Sequence, residues 1–410
     1  MADPAPKSPL PIGVRNIVSI VRPNRWPWLL VAGLVALALA VVGVILATRN
    51  TGTNSSLGSA HLVIIDPAKS TVSVANSSAK QLYKVTYPKY SYPNFEASSP
   101  KGEVLLSLSV GSPEEGFLFI KGGKAQTLSA DVIKNLRTAI VLNSSQHIFF
   151  TDENDAVYVS CPSGASCKLI SLDLTSAKTK TVVDTGATPV AAGLAPVYPL
   201  GLSANRASIF LRTLTANKLG KDTSAVYQVN LANGKVLNSY PVSRDADYTP
   251  ALSPDAERIV YKTGDKTATL LHVLNMVTNK SYQAKWTSGE IADSTTALSW
   301  SPDSTKVLAW GSDSVLPRPK LDSSFPINAG YLDVPKNTVT GLQTIQDSAH
   351  NQIAYQGWLD SSNIVYEQDT STQAYDFNSP TIQILKYNIS AKGSTKLSSL
   401  SGNLKQVAYW

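Results

Sequence analysis

The stretch 296–310, TALSWSPDSTKVLAW, constrains the fold more than any other, because PALSPDAERIVYK at 250–262 repeats its pattern. In each copy an apolar approach meets Ser-Pro-Asp, a few polar residues follow, and a β-branched run begins. Pro and Asp favour a tight turn and β-branched residues favour extended backbone, so each copy reads as strand, turn, strand. A hairpin that recurs is the unit of a repeat architecture. Taking its second strand by an apolar pair, further copies are expected at Leu105-Leu106, Ile148-Phe149, Ile209-Phe210 and Ile364-Val365, beside Ile259-Val260 and Val307-Leu308. The spacing is on the order of 50 residues, which suits four-stranded blades.

A second hairpin lies between these units: an alternating strand, a turn of Asn, Asp, Gly or Lys, and another strand. It occupies 63–74, 117–128, 169–183, 226–240, 270–284, 331–342 and 384–397. One more outer hairpin than inner hairpins is therefore present. The final segment, LKQVAYW at 404–410, aligns with the approach strand TALSW and stops where the next Ser-Pro turn would begin. It is expected to share one blade with the first outer hairpin, which closes a ring and removes exposed sheet edges. The sequence predicts an all-β fold, a seven-bladed β-propeller over residues 61–410. Six or eight blades are the alternatives, because the units at 117–128 and 142–150 diverge.

LSPDAERIVY at 252–261, LSWSPDSTKVLAW at 298–310 and the weaker ASSPKGEVLLSL at 97–108 resemble the WD-like repeats of TolB-type bacterial β-propellers. Similar repeats occur in the propellers of prolyl-oligopeptidase-type peptidases. The resemblance implies a propeller and a bacterial source. The chain is expected to depart from TolB in having a membrane anchor and no separate N-terminal α/β domain, and from the peptidases in having no hydrolase domain after the propeller. Neither role carries over as such.

Upstream, residues 1–27 form a short basic tail broken by Pro4, Pro6, Pro9, Pro11 and Pro23. WLLVAGLVALALAVVGVILA at 28–47 carries no charge, and as a helix rising ~1.5 Å per residue it spans ~30 Å, one hydrocarbon core. A single transmembrane helix is expected. Trp26 and Trp28 fit an interfacial belt, and the basic residues before the span outweigh Arg49 after it, so the N-terminus is expected in the cytoplasm and the C-terminal domain outside it. The apolar run is too long for a cleaved signal peptide, which favours a signal anchor. Residues 48–60, rich in Gly, Ser, Thr and Asn, read as a flexible tether.

The formal net charge is +7, but Lys7, Arg15, Arg22, Arg25 and Arg49 stand against Asp3 alone before residue 50. The strand-rich region is close to neutral and has no gathered basic face, which argues against nucleic acid. Cys161 and Cys167 flank a short Pro/Ser/Gly/Ala loop between two strand-like runs. In an exported domain they are expected to form a disulfide, and in a reducing compartment two free thiols. A zinc site would need two more ligands, while His61, His147, His272 and His350 each stand singly.

No nucleophile elbow, phosphate loop, dinucleotide fingerprint or zinc-protease helix occurs in the sequence. Asp255 and Asp303 of the Ser-Pro-Asp turns are expected to cap those turns. Asp152, Glu153, Asn154 and Asp155 read as a solvated hairpin turn. Ser203 in GLSAN occupies the repeat's turn position. No catalytic residue, metal ligand or cofactor is assigned.

The long insertions share a parity. Those at 214–225, 311–329 and 369–379 join second to third strands, and those at 87–95 and 187–199 join blades, so all open on one face. Tyr87, Tyr90, Tyr92, Arg318, Lys320, Phe325, Tyr375 and Phe377 are the candidate binding residues there, since Tyr and Arg anchor interfaces. The function expected is a membrane-anchored, extracytoplasmic interaction or sensing module with an envelope protein as partner. The alternative is a glycan- or peptide-binding propeller acting on cell-wall polymer, hydrolytic if paired carboxylates are present.

Overall fold

The computed structural model describes residues 62–66, 69–76, 80–88, 92–99, 101–109, 116–140, 148–161, 167–184, 197–216, 222–242, 250–264, 269–286, 296–311, 329–342, 353–369, 381–401 and 407–409. In chain order, blade 1 takes β1 (Leu62–Asp66), β2 (Thr71–Ala75) and β3 (Gln81–Thr86). Blade 2 holds β4 (Tyr92–Ser98), β5 (Val104–Ser109), β6 (Gly116–Lys121) and β7 (Lys124–Gln126), and α1 (Ala130–Ile140) follows. Blade 3 holds β8 (Ile148–Phe150), β9 (Asp155–Ser160), β10 (Lys168–Asp173) and β11 (Thr179–Asp184). Blade 4 holds β12 (Val197–Leu202), β13 (Ser208–Ala216), β14 (Asp222–Asn230) and β15 (Val236–Val242). Blade 5 holds β16 (Ala251–Leu252), β17 (Arg258–Gly264), β18 (Thr269–Asn275) and β19 (Lys280–Gln283), and β20 (Lys285–Trp286) continues the chain. Blade 6 holds β21 (Thr296–Trp300), β22 (Lys306–Gly311), β23 (Ala329–Asp333) and β24 (Thr338–Gly341). Blade 7 holds β25 (Ile353–Trp358), β26 (Asn363–Asp369), β27 (Thr381–Asn388) and β28 (Gly393–Ser401), and β29 (Val407–Tyr409) ends the chain.

Each blade is an antiparallel sheet with its strands in sequence order, and blade 1 reads β29, β1, β2, β3. Leu62 lies opposite Tyr409 and Ile64 opposite Val407, so the last strand completes the first blade. First strands touch first strands around the ring: β4 meets β8, β12 meets β16, β16 meets β21, β21 meets β25, and β25 meets β29. The fold is a seven-bladed propeller.

The core follows from the second and third strands. Both faces of each blade abut a neighbour, so runs such as VLLSL, RIVYK and NIVYE are apolar on both faces, as strands covered on two sides must be. The described core divides into seven apolar clusters, each spanning two adjacent blades. Val365 and Ile384 of blade 7 meet Leu62 and Ala75 of blade 1, which seals the ring at its closing seam. Two tryptophans tie first strands together. The Trp300 indole donates to the Ala251 carbonyl at 2.9 Å, and the Trp358 indole to the Ser299 carbonyl at 3.0 Å.

Four features correct the expectations from sequence. Ile148-Phe149 belongs to the first strand of blade 3, whose second strand is β9, because Asp152–Asp155 replaces Ser-Pro-Asp as the turn. The 63–74 hairpin is the second and third strand of blade 1, with β3 as its fourth, so the N-terminal side supplies three strands and the C-terminal side one. A helix interrupts what reads as all strands and turns: Ser129 caps α1 by accepting from Val132 NH, while Val132, Leu136 and Ala139 are buried between blades 2 and 3. β7 pairs with β6 over only three positions, and the helix helps fill that seam. Finally, β20 pairs in parallel with β24, giving blade 6 a fifth strand on its outer edge. The 28–47 stretch lies outside the described residues, among which no helix is long and apolar enough to cross a membrane.

Candidate functional site

The two ends of the propeller differ by construction. At one end lie the turns joining first to second and third to fourth strands. These are short and satisfy themselves. In blades 4, 5 and 6, Ser203, Ser253 and Ser301 each accept the backbone NH of the residue five positions on, at 3.0, 2.9 and 2.8 Å. Asp255 accepts from Glu257 NH and Asp303 from Thr305 NH, the turn-capping role expected of them. Ala256 and Ser304 hold φ of 57° and 58°, the left-handed step that tightens the turn. Asp152 caps its own turn by accepting from the NH groups of Asn154 and Asp155.

At the opposite end the strands bracket the long connections. Segments 110–115, 312–328 and 370–380 join second to third strands, and 127–147, 185–196, 243–250 and 342–352 join blades. All leave from the same rim, because strand direction alternates within each blade. A disulfide joins Cys161 and Cys167 across the corresponding connection of blade 3.

Most of the aromatic and basic candidates sit in those connections. Tyr90, Arg318, Lys320, Phe325, Tyr375 and Phe377 lie outside the described residues, and Tyr92 begins β4 with its side chain outside them. Tyr87 is placed, and it is not a surface contact. It is 6% exposed and packs with Val63, Val85 and Leu106 between blades 1 and 2. Burial and then the nearby Asp66 charge push its hydroxyl up to about 12. It is an anchor beneath the rim.

What sequence reasoning missed lies one layer below. Three second strands carry a charged residue at their fifth position, near the rim and on the face turned to the next blade. Arg212 occupies this place in β13, Lys262 in β17 and Glu367 in β26; Arg212 and Lys262 are 5% and 4% exposed. In blade 2 the fourth residue, Ser107, lies on the face turned to the next blade and donates to buried Glu96 at 2.6 Å. Facing blade 4, His272 stacks on Tyr261 and its Nε2 lies 2.8 Å from Thr263 Oγ1, while burial draws the imidazole below its ordinary value. Burial pushes Glu367 up to about 7. The signal was available: SIFLR, RIVYK and NIVYE each place a charge at the end of an apolar run. It was masked by reading those runs only for their apolar pairs.

In blades 4, 5 and 7 the seam thus carries a charged residue close to the rim. Among the described residues no group of three His, Cys, Asp or Glu is arranged to hold a metal ion. No protein-family model matches the sequence, and no curated protein does. Solved structures with a similar fold include TolB from Acinetobacter baumannii, at 12% identity and a TM-score of 0.41, over 86% of this chain and 66% of that one. A putative TolB from Agrobacterium tumefaciens is 14% identical with a TM-score of 0.37, over 84% of this chain and 91% of that one. The likeness is one of fold. An oligogalacturonate lyase in complex with manganese, 13% identical with a TM-score of 0.44, covers 76% of this chain and 73% of its own.

Proposed function

We propose that the protein is a membrane-tethered, extracytoplasmic docking module that binds an envelope protein through the rim carrying the long connections. The observation that supports this most is the asymmetry of the propeller: one end is reduced to self-satisfied turns, and the other carries every long connection. Elaboration on one end of a rigid scaffold is how binding faces are built. The uncharged 28–47 stretch supplies the tether, and the Cys161–Cys167 disulfide suits an oxidising compartment outside the cytoplasm.

The test is chemical cross-linking of the full-length protein in its own membrane, with mass spectrometry of the product. Cross-links to one protein from the 312–328 and 370–380 segments are the expected result, and Arg318→Ala with Phe377→Ala abolishes them. Capture unchanged in that double variant would remove the rim from the proposal. Protease added to intact cells should trim the propeller, and its protection would overturn the topology.

A further inference from the structure

We infer that Glu367 forms the floor of a recess at the seam between blades 7 and 1 that receives a basic side chain, lysine or arginine, from the partner protein. This deepens the docking-face reading and rests on it.

The argument begins with the strand. Glu367 follows Val365 by two residues in β26 and therefore shares its face. It lies directly opposite Ala354 on β25 and Ile384 on β27. Val365 and Ile384 pack against Leu62 and Ala75, so this face is the one turned to blade 1. From Glu367 the strand runs only two residues further before the 370–380 connection, which places the carboxylate near the rim. Oε1 is sealed from water and has no hydrogen-bond partner, while the residue as a whole keeps partial exposure. Oε1 is thus unsatisfied within the described seam, while the residue as a whole still reaches the surface.

Its surroundings define what it lacks. Ala354 and Ile384 offer no side-chain donor across the strands. Lys386 shares the face but lies opposite Val365, two pairs further from the rim. A buried carboxylate without donors is costly, and burial alone holds it partly protonated near neutral pH. The ligand that relieves this brings both positive charge and N–H donors, as an ammonium or guanidinium group does. A hard metal ion would want several oxygen ligands, and no such set surrounds Glu367 among the described residues.

The experiment uses the full-length chain in detergent micelles, titrated calorimetrically at pH 8 with acetyl-triarginine amide, and with its tricitrulline counterpart as the uncharged control. Triarginine should bind and tricitrulline should not. Glu367→Gln should weaken triarginine binding at least about tenfold, while Glu367→Asp retains it within a few-fold and Lys386→Met does not weaken it. Equal affinity in wild type and Glu367→Gln overturns the inference, as does absence of triarginine binding to the wild type. Should both Glu367 variants unfold, carbodiimide amidation of wild-type Glu367 reads the same contact: protection by triarginine supports the recess and unchanged labelling overturns it. Loop variants that lose partner capture, with triarginine affinity unaffected by Glu367→Gln, would sink this inference and leave the docking face standing. Glu367-dependent triarginine binding with capture unchanged in the loop variants would do the reverse.

Discussion

The two ends of this propeller are made from the same strands and obey different rules. At the short-turn end each connection closes on itself: Ser301 accepts from Lys306 NH and donates to Asp303, and Asp303 accepts from Thr305. That arrangement recurs with small changes at Ser253 and Ser203, because a turn that satisfies its own backbone has few solutions. At the rim the connections differ from blade to blade in length. They vary from four residues at 265–268 to the helix-bearing 127–147, and Arg212 and Lys262 sit buried in the seams near the rim. The repeated end carries the fold, and the varied end carries whatever distinguishes this propeller from others.

If the ring couples the two ends, damage to a seam should disable both. Trp358 is 2% exposed and ties blade 7 to blade 6 through the Ser299 carbonyl. Trp358→Ala should cost about 3–5 kcal/mol of stability, read by urea unfolding. Any rim-dependent capture should fall in step with the folded fraction. A stable variant with normal capture would show that the seam is not what holds the ends together.

Glu367 sharpens the comparison because it is a seam residue near the rim with no counterpart in the self-satisfied turns. Its carboxyl is raised by burial from 4.5 to about 7 in the folded chain. The folded state therefore keeps the proton to higher pH than the unfolded chain does. The resulting stability is fully present below pH ~4.5 and lost as pH rises to ~7, with an amplitude of about 3 kcal/mol. Glu367→Gln should flatten that fall, and unfolding of the variant beside wild type across pH 4–8 isolates it from other titrating groups such as His272. Parallel pH profiles would mean that the carboxyl is solvated.

Much of the fold was legible because it is written in the turns. Ser-Pro-Asp and its relatives gave the period, and the orphan strand at 404–410 gave the closure. The miscounted strand in blade 3 arose where Asp152–Asp155 does the same work with different residues. The helix at 130–140 carried ordinary signals, Ser129 as cap and Val132, Leu136 and Ala139 on one face, but a repeat of hairpins leaves no place to expect it. The site was less legible. An aromatic such as Tyr87 looks alike in sequence whether it faces a partner or the core, and only the path of the chain after β3 buries it. Arg212, Lys262 and Glu367 declare themselves only when the second strands are aligned by their turns, since facing the next blade is a property of register.

The smallest expected effects on stability separate the ends most cleanly. Ser301→Ala removes one acceptor and one donor from a turn that stays partly bonded through the backbone, so a loss of about 1 kcal/mol is expected, with partner capture untouched. Arg318→Ala with Phe377→Ala lies in the connections at the other end and should change stability by no more than about 0.5 kcal/mol, yet it should abolish capture. Both variants are read in one pair of measurements, urea unfolding and membrane cross-linking. Stability lost without capture at one end, and capture lost without stability at the other, is the signature of a scaffold end and a docking end. If Ser301→Ala reduces capture as much as the loop variant does, the partner grips the short turns as well, and the division of labour between the two ends fails.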